Sequence, residues 1–313
     1  MFIFLVRRIL ATIPVLAVVA LIVFLMLRLA PGDPAASIVG DNGTVADIVR
    51  MRTALGLNDA LPVQFVRWSA QMLQGNLGES FFMKKKVTEL IAQRIEPTIS
   101  LTCITLLLTL SIAIPLGVIA AWRRGGWLDR ALMTFSVLGF SIPTFIIGYV
   151  LIDIFALKLQ ILPVQGYSRI ANGFLPWFRS LILPAITLSI VYVALIARVT
   201  RAAVSEALTE DYIRTARAKG ISPMQVLIRH ALRNAAIPIV TVIGIGIALL
   251  MGGVVVTESV FAVPGLGQLT VDAVLARDFP LIQGITILFS LIYVLINLLV
   301  DLSYVFFDPR IRY

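Results

Sequence analysis

This chain of 313 residues has a single cysteine, Cys103, and a single histidine, His230. One cysteine permits no intrachain disulfide, and its place within an apolar run makes packing its expected role. One histidine beside one cysteine provides no His/Cys cluster for zinc. It also rules out H-E-x-x-H and a His-assisted nucleophile in the bilayer. His230 is therefore expected as a polar position on a helix outside the apolar runs, meeting a partner. No G-x-x-x-x-G-K-[ST] run occurs, so the chain has no recognisable means of hydrolysing ATP. A potassium-type filter, internal repeats and low-complexity tracts are missing as well.

Charge is scarce: 14% of residues are charged against 59% hydrophobic, and the mean hydropathy is +0.97. Runs at 9–27, 97–122, 131–152, 180–197, 235–257 and 281–300 contain no Asp, Glu, Lys or Arg. Each is long enough for a helix to cross a hydrocarbon core of about 30 Å. The nearest charges, Arg28, Asp153, Arg198, Glu258 and Asp301, stand at or beyond the ends. Transporters driven by ion gradients usually carry ionisable groups near the midplane, so gradient coupling is disfavoured. Backbone carbonyls can still coordinate sodium, which keeps a gradient-driven transporter, with a membrane scaffold, as the alternative from a different class.

What is present is an all-helical membrane protein of six spans, at 9–29, 97–122, 131–156, 180–197, 235–257 and 281–300. Arg7 and Arg8 before the first run resemble the start of a secretory leader. The apolar stretch that follows exceeds the ~7–15 residues of such a leader, so an uncleaved first span is expected. An even count puts both termini on one side. The ends at 1–8 and 301–313, the loop at 122–130 and the loop at 198–234 hold more than half of the 26 basic residues. The short opposite loops hold Lys158, Arg169, Arg179 and Arg277, and long segments such as 30–96 cross largely regardless of charge. The net charge of +9 is thus mainly a topology signal, with termini and the 198–234 loop in the cytoplasm.

That loop carries structure of its own. Thr209 is placed to N-cap a helix with Glu210 and Asp211 in its first turn and Arg217 and Lys219 in its last, the polarity a helix dipole favours. Gly220 supplies the positive φ that stops it. Ser222, Pro223 and Gln225 then fall at N-cap, N1 and N3 of a second helix, expected to run to about Ile237, before Pro238. A basic helix-turn-helix also suits DNA, but both ends here are tied to spans, so no nucleic-acid partner is expected.

On the other side, segment 30–96 opens with the turn Pro31-Gly32-Asp33-Pro34 and reads as small packed helices. A capping box at Thr44 and Asp47 starts one that reaches Leu55 and stops at Gly56. Pro62 at N1 starts another, ended by Gly75, with Gly75 to Gly78 as a turn. Segment 258–280, with Glu258 and the run Pro264-Gly265-Leu266-Gly267, reads either as a re-entrant or interfacial hairpin or as an ordinary external loop.

These residues carry a resemblance. Glu206-Ala207-Leu208, Asp211-Tyr212-Ile213-Arg214-Thr215-Ala216-Arg217-Ala218-Lys219-Gly220 and Arg229-His230-Ala231-Leu232-Arg233-Asn234 resemble the coupling loop of inner-membrane permease subunits of bacterial ABC importers. The likeness is closest to the B-type subunit of the dipeptide, oligopeptide, nickel and glutathione branch. Of the general pattern E-A-A-x3-G-x9-I-x-L-P, only Ala216, Gly220 and Leu232 match; Arg214, Thr215, His230 and Arg233 depart from it as that branch does. Pro31 to Pro34, Leu55-Gly56-Leu57 with Pro62 and Gln64, Gly75 with Gly78 and Ser80, Pro264 to Gly267, Arg277-Asp278 with Pro280 and Gln283, and Asp308-Pro309-Arg310 extend the likeness over nearly the whole chain. Asn76 stands where Asp is common.

The resemblance implies a type I ABC importer permease fold and a non-catalytic subunit. Its partners would be a homologous second permease, two cytoplasmic ABC ATPases carrying the ATP and Mg, and an external solute-binding protein. It implies ATPase coupling through Glu206, Ala207, Asp211, Tyr212, Arg214, Thr215, Ala216, Arg217, Ala218, Lys219, Gly220 and His230. It implies outer-gate or binding-protein contact at Pro264, Gly265, Leu266, Gly267, Arg277 and Asp278. The expected cargo is a dipeptide or oligopeptide, with nickel complexes and glutathione as close alternatives. Substrate contacts are not legible.

Overall fold

The computed structural model describes residues 2–29, 34–39, 44–54 and 56–307. Pro31, Gly32 and Asp33, Leu55, and Asp308, Pro309 and Arg310 lie outside the described residues. Apart from one antiparallel bridge between Glu79 and Lys86, the regular structure there is helical. First come α1 (Phe2–Leu29), α2 (Pro34–Val39), α3 (Val45–Ala54) and α4 (Leu61–Leu73). They are followed by α5 (Val87–Trp122), α6 (Trp127–Ser141) and α7 (Thr144–Leu151), which continues as a π-helix over Ile152–Lys158. α8 (Phe174–Ala207) leads to α9 (Asp211–Ala218) and α10 (Pro223–Gln225), which continues as a π-helix over Val226–Leu232. α11 (Ala236–Val260), α12 (Leu266–Leu275) and α13 (Phe279–Phe307) complete the chain.

Among the described residues, five helices are long and apolar enough to cross a membrane: Arg7–Met26 in α1, then α5, α8 and α11, and Phe279–Tyr304 in α13. A sixth crossing requires α6 and the α7 region as one broken span bent by 100°. The expected continuous helix over 131–156 is therefore corrected. Pro143 disfavours helical backbone at the residue before it, and Ile142 is extended at φ −94°, ψ 123°. Two other expected spans are longer than their charge-free cores: α5 begins at Val87 rather than 97, and α8 covers ten residues assigned to the 198–234 loop. Polar side chains near helix ends do not interrupt backbone hydrogen bonding, so apolar runs understate helix length.

The chain forms two compact units, one built on 96–268 with 295–307, the other on the described parts of 6–95 with 269–294. In the first unit α8 is the central pillar: 67% of its most apolar window is buried, against 33% for α11. Small residues set the contacts. A Cβ added at Gly117 of α5 would lie 2.6 Å from Thr200 Cβ, and Gly139 of α6 faces Ala194. Ser136 Oγ donates to the Ala194 carbonyl at 3.1 Å. Gly148 of α7 lies against Thr187 and Phe261. This is close packing of the kind that replaces the hydrophobic drive inside a bilayer. Cys103, expected to pack, is instead exposed on α5.

In the second unit, Phe24 of α1 packs against Phe65 and Trp68 of α4 with ring centroids 5.3 and 5.7 Å away. Gln283 Nε2 donates to the Val23 carbonyl at 2.9 Å. The capping box forms reciprocally, with Asp47 N–H donating to Thr44 Oγ1 at 3.2 Å and Thr44 N–H donating to Asp47 Oδ2 at 3.1 Å. Pro62 occupies the second position of α4, one later than expected. Gly56, Gly75 and Gly78 have φ of +64°, +80° and +84°, the left-handed turns for which glycine is suited.

Candidate functional site

The 198–234 segment is a built platform. Ile213 and Ala216, three apart on α9, join Val118 and Ala121 of α5, Val204 and Ala207 of α8, Val226, Leu227 and Ala231 of the π-helix, and Ala235 and Ile239 in one buried cluster. Ile213 is fully buried. The opposite face of α9 is open: Asp211, Tyr212, Arg214, Thr215, Arg217, Ala218 and Lys219 are exposed, as is Glu206. The apolar stripe holds this helix down while its polar face remains available. The Arg214–Asp211 pair at 3.3 Å is so exposed that it adds little stability.

Gly220 ends α9 as expected, at φ +74°. Its N–H donates to the Arg217 carbonyl at 3.0 Å, and Ile221 N–H donates to that of Ala216 at 3.3 Å. These are the two bonds of a Schellman motif, and Ile221 packs on the cluster that contains Ala216. At the next start Ser222 Oγ accepts from Gln225 N–H at 3.4 Å, with Pro223 in the first turn.

Three expectations in this loop are corrected. Glu210, not Thr209, is the N-cap of α9 and makes no side-chain cap bond; Thr209 Oγ1 instead donates to the Glu206 carbonyl at 2.7 Å, closing the end of α8. Pro238 falls in the first turn of α11, where no amide donor is needed, and the second helix has already ended by Asn234 rather than at about Ile237. It is also π-helical over Val226–Leu232, which holds half-buried His230. Ala207 and Ala216 are buried, so they anchor the platform from beneath.

The Pro264 to Gly267 run encloses a carboxylate. Glu258, at the end of α11, is fully buried. It accepts from Thr98 Oγ1 at 2.6 Å and from Gln268 N–H at 3.0 Å, while Thr98 Oγ1 accepts from Leu266 N–H at 2.8 Å. A Cβ on Gly265 would fall on that carboxylate, and one on Gly267 would lie 2.5 Å from Val255 Cα. Glycine is needed here for close approach. Gly265, Leu266 and Gly267 are buried and Pro264 is half-buried, and the expected hairpin contains the helix α12.

Asp278 is buried, bonded to Ser80 Oγ, and accepts the N–H groups of Phe81 and Phe82 at 3.2 and 3.3 Å. Adjacent Arg277 is exposed at φ +53°. Sequence reasoning missed these partnerships and one more: Arg201 Nε and Nη2 donate to the two oxygens of Asp129 at 2.8 and 2.7 Å. Each joins residues far apart in the chain. The only local signal was a charged residue at the margin of an apolar run.

Residues 113–313 match the family model for the binding-protein-dependent transport system inner membrane component, and residues 1–102 match the corresponding N-terminal model. A protein of Sinorhizobium fredii named as a peptide ABC transporter permease is 55% identical over 311 residues, covering 99% of both chains. A Pectobacterium atrosepticum protein named as a glutathione transport system permease is 44% identical over 308 residues, covering 98% of each. A chain of the MetNI methionine ABC transporter, in an inward-facing conformation, superposes with a TM-score of 0.59 at 21% identity, over 71% of this chain and 97% of that one. That likeness is one of fold.

Proposed function

Because this chain belongs to the family of binding-protein-dependent transport system inner membrane components, we propose that it forms half of the translocation path of an ATP-driven importer for dipeptides or oligopeptides. The observation that carries this reading is α9: a short helix rooted in a core shared with α5, α8 and α11, with its polar face open. A helix rooted in this way passes displacement to the spans beneath it.

In this reading the termini and α9 face the cytoplasm of a bacterial inner membrane. Two ATPases, holding ATP and Mg, grip Glu206 and the open face of α9, and a homologous second permease completes a heterodimeric path. An external solute-binding protein delivers cargo near Arg277, while the Pro264 to Gly267 run shapes the outer segment from within. The chain itself performs no hydrolysis.

The peptide assignment draws on the Sinorhizobium relative, and the glutathione permease at 44% identity favours a second reading in which glutathione is the cargo. The test is uptake by the full assembly in vesicles, offered a dipeptide, an oligopeptide, glutathione or a nickel complex. Peptide accumulation that requires ATP and survives an uncoupler supports the proposal. ATP-independent accumulation by the isolated chain overturns it.

A further inference from the structure

The connection between α5 and α6 is not used by this transport scheme. It reads Trp122-Arg123-Arg124-Gly125-Gly126-Trp127-Leu128-Asp129-Arg130. Trp122 is the last residue of α5 and Trp127 the first of α6, and they are 46% and 74% exposed. Arg123, Arg124 and Arg130 are exposed as well.

The turn is fixed in shape. Gly126 N–H donates to the Arg123 carbonyl at 2.9 Å, Gly125 takes φ +80°, and its N–H donates to Asp129 Oδ2 at 2.9 Å. Asp129 is the one acid in the stretch, and its carboxylate is buried and held bidentately by Arg201 of α8. The local acid is thus committed inward, two arginines project from a stiff turn between two exposed indoles, and Arg130 follows in the first turn of α6.

We infer that this turn is a binding site for the headgroups of anionic phospholipids, with Arg123, Arg124 and Arg130 on the phosphate and Trp122 and Trp127 seated at the headgroup boundary. Charge alone would serve orientation. Exposed tryptophan at both helix ends adds the amphipathic ring that favours a bilayer interface over a protein surface. Guanidinium groups bind phosphate oxygens through paired donors. The site rests on the proposed orientation only for the leaflet it reads.

The test uses the full chain in nanodiscs of phosphatidylcholine with or without phosphatidylglycerol, and native mass spectrometry reads lipid retained on release. The wild type is expected to keep phosphatidylglycerol in preference to phosphatidylcholine. The R123Q/R124Q/R130Q variant is expected to lose that preference by about a hundredfold, at about fivefold per cation near an anionic surface. W127A is expected to weaken retention without abolishing it. Equal retention of both lipids, or a triple variant that keeps its preference, overturns the inference. Displacement by millimolar inorganic phosphate overturns it too, since that marks a general anion site. The assay contains no ATPase, cargo or gradient, so its failure and a failure of the transport reading are separable.

Discussion

The carboxylate of Glu258 occupies the place that a side chain on Gly265 would fill. The acid is held there by Thr98 Oγ1 and by the Gln268 amide, so it has little room to withdraw. Glycine at 265 and 267 is therefore a packing requirement.

A first prediction follows from the backbone on the other side of that cradle. G267A would press a methyl group against Val255 Cα, and overpacking of this kind costs about 1–3 kcal/mol. G252A is the control, because nothing lies within 4 Å of a Cβ at Gly252. Thermal unfolding of the purified chain in detergent should show a lower midpoint for G267A and no loss for G252A. Equal midpoints would refute the cradle.

Gly220 makes the opposite case, since space around it is open and only its φ of +74° restricts replacement. G220V should cost about 1–2 kcal/mol through left-handed backbone strain. G220N should be milder, because asparagine tolerates this region. Both variants should insert normally. Substrate-stimulated ATPase activity of the assembled complex is expected to fall for valine and to be largely kept for asparagine.

Ile213 tests whether α9 is held by its apolar side. I213A removes a fully buried side chain from the shared cluster, at a cost of about 2–4 kcal/mol. Amide exchange across α9 should accelerate, while Y212A on the open face should leave it unchanged. Similar exchange in both variants would sink the reading of α9 as a platform.

The bidentate Asp129–Arg201 pair gives a fourth. R201K keeps the charge but loses the planar fork, so it should destabilise by about 1–2 kcal/mol. D129N should act through the same contact. A double-mutant cycle is expected to return a coupling of about 1 kcal/mol or more, and additive effects would show that the pair is incidental.

Acid should loosen α3. The Thr44 hydroxyl and then its amide, both donating to Asp47, hold that carboxyl below the usual range. A depressed value in the folded chain gives a contribution that is complete above the unfolded value and disappears as pH falls through the folded one. Amide exchange in α3 should therefore rise on acidification, and T44A should abolish the pH response.

Much of this architecture was legible because the bilayer imposes long charge-free runs. The position of Gly220, the Ser222 cap and the Thr44–Asp47 box were legible because each is a bond between near neighbours. Other features were not. Pro143 is visible in the sequence, but unbroken apolarity around it concealed a 100° bend. Thr209 has the chemistry of an N-cap, yet its hydroxyl is taken by the preceding helix. Glu258 finds Thr98, and Asp278 finds Ser80, across large separations that no local pattern encodes. The exposed face of Cys103 likewise depends on which side of α5 the rest of the chain covers.

The bend at Ile142–Pro143 bears on the order of assembly. α6 meets the pillar through Gly139 and Ser136, and α7 meets it where Gly148 lies against Thr187 of α8, so the two arms clasp α8 like a collar around a post. The collar leaves the ribosome first. The contacts that brace it on α8 cannot form until residues 174–207 have been synthesised.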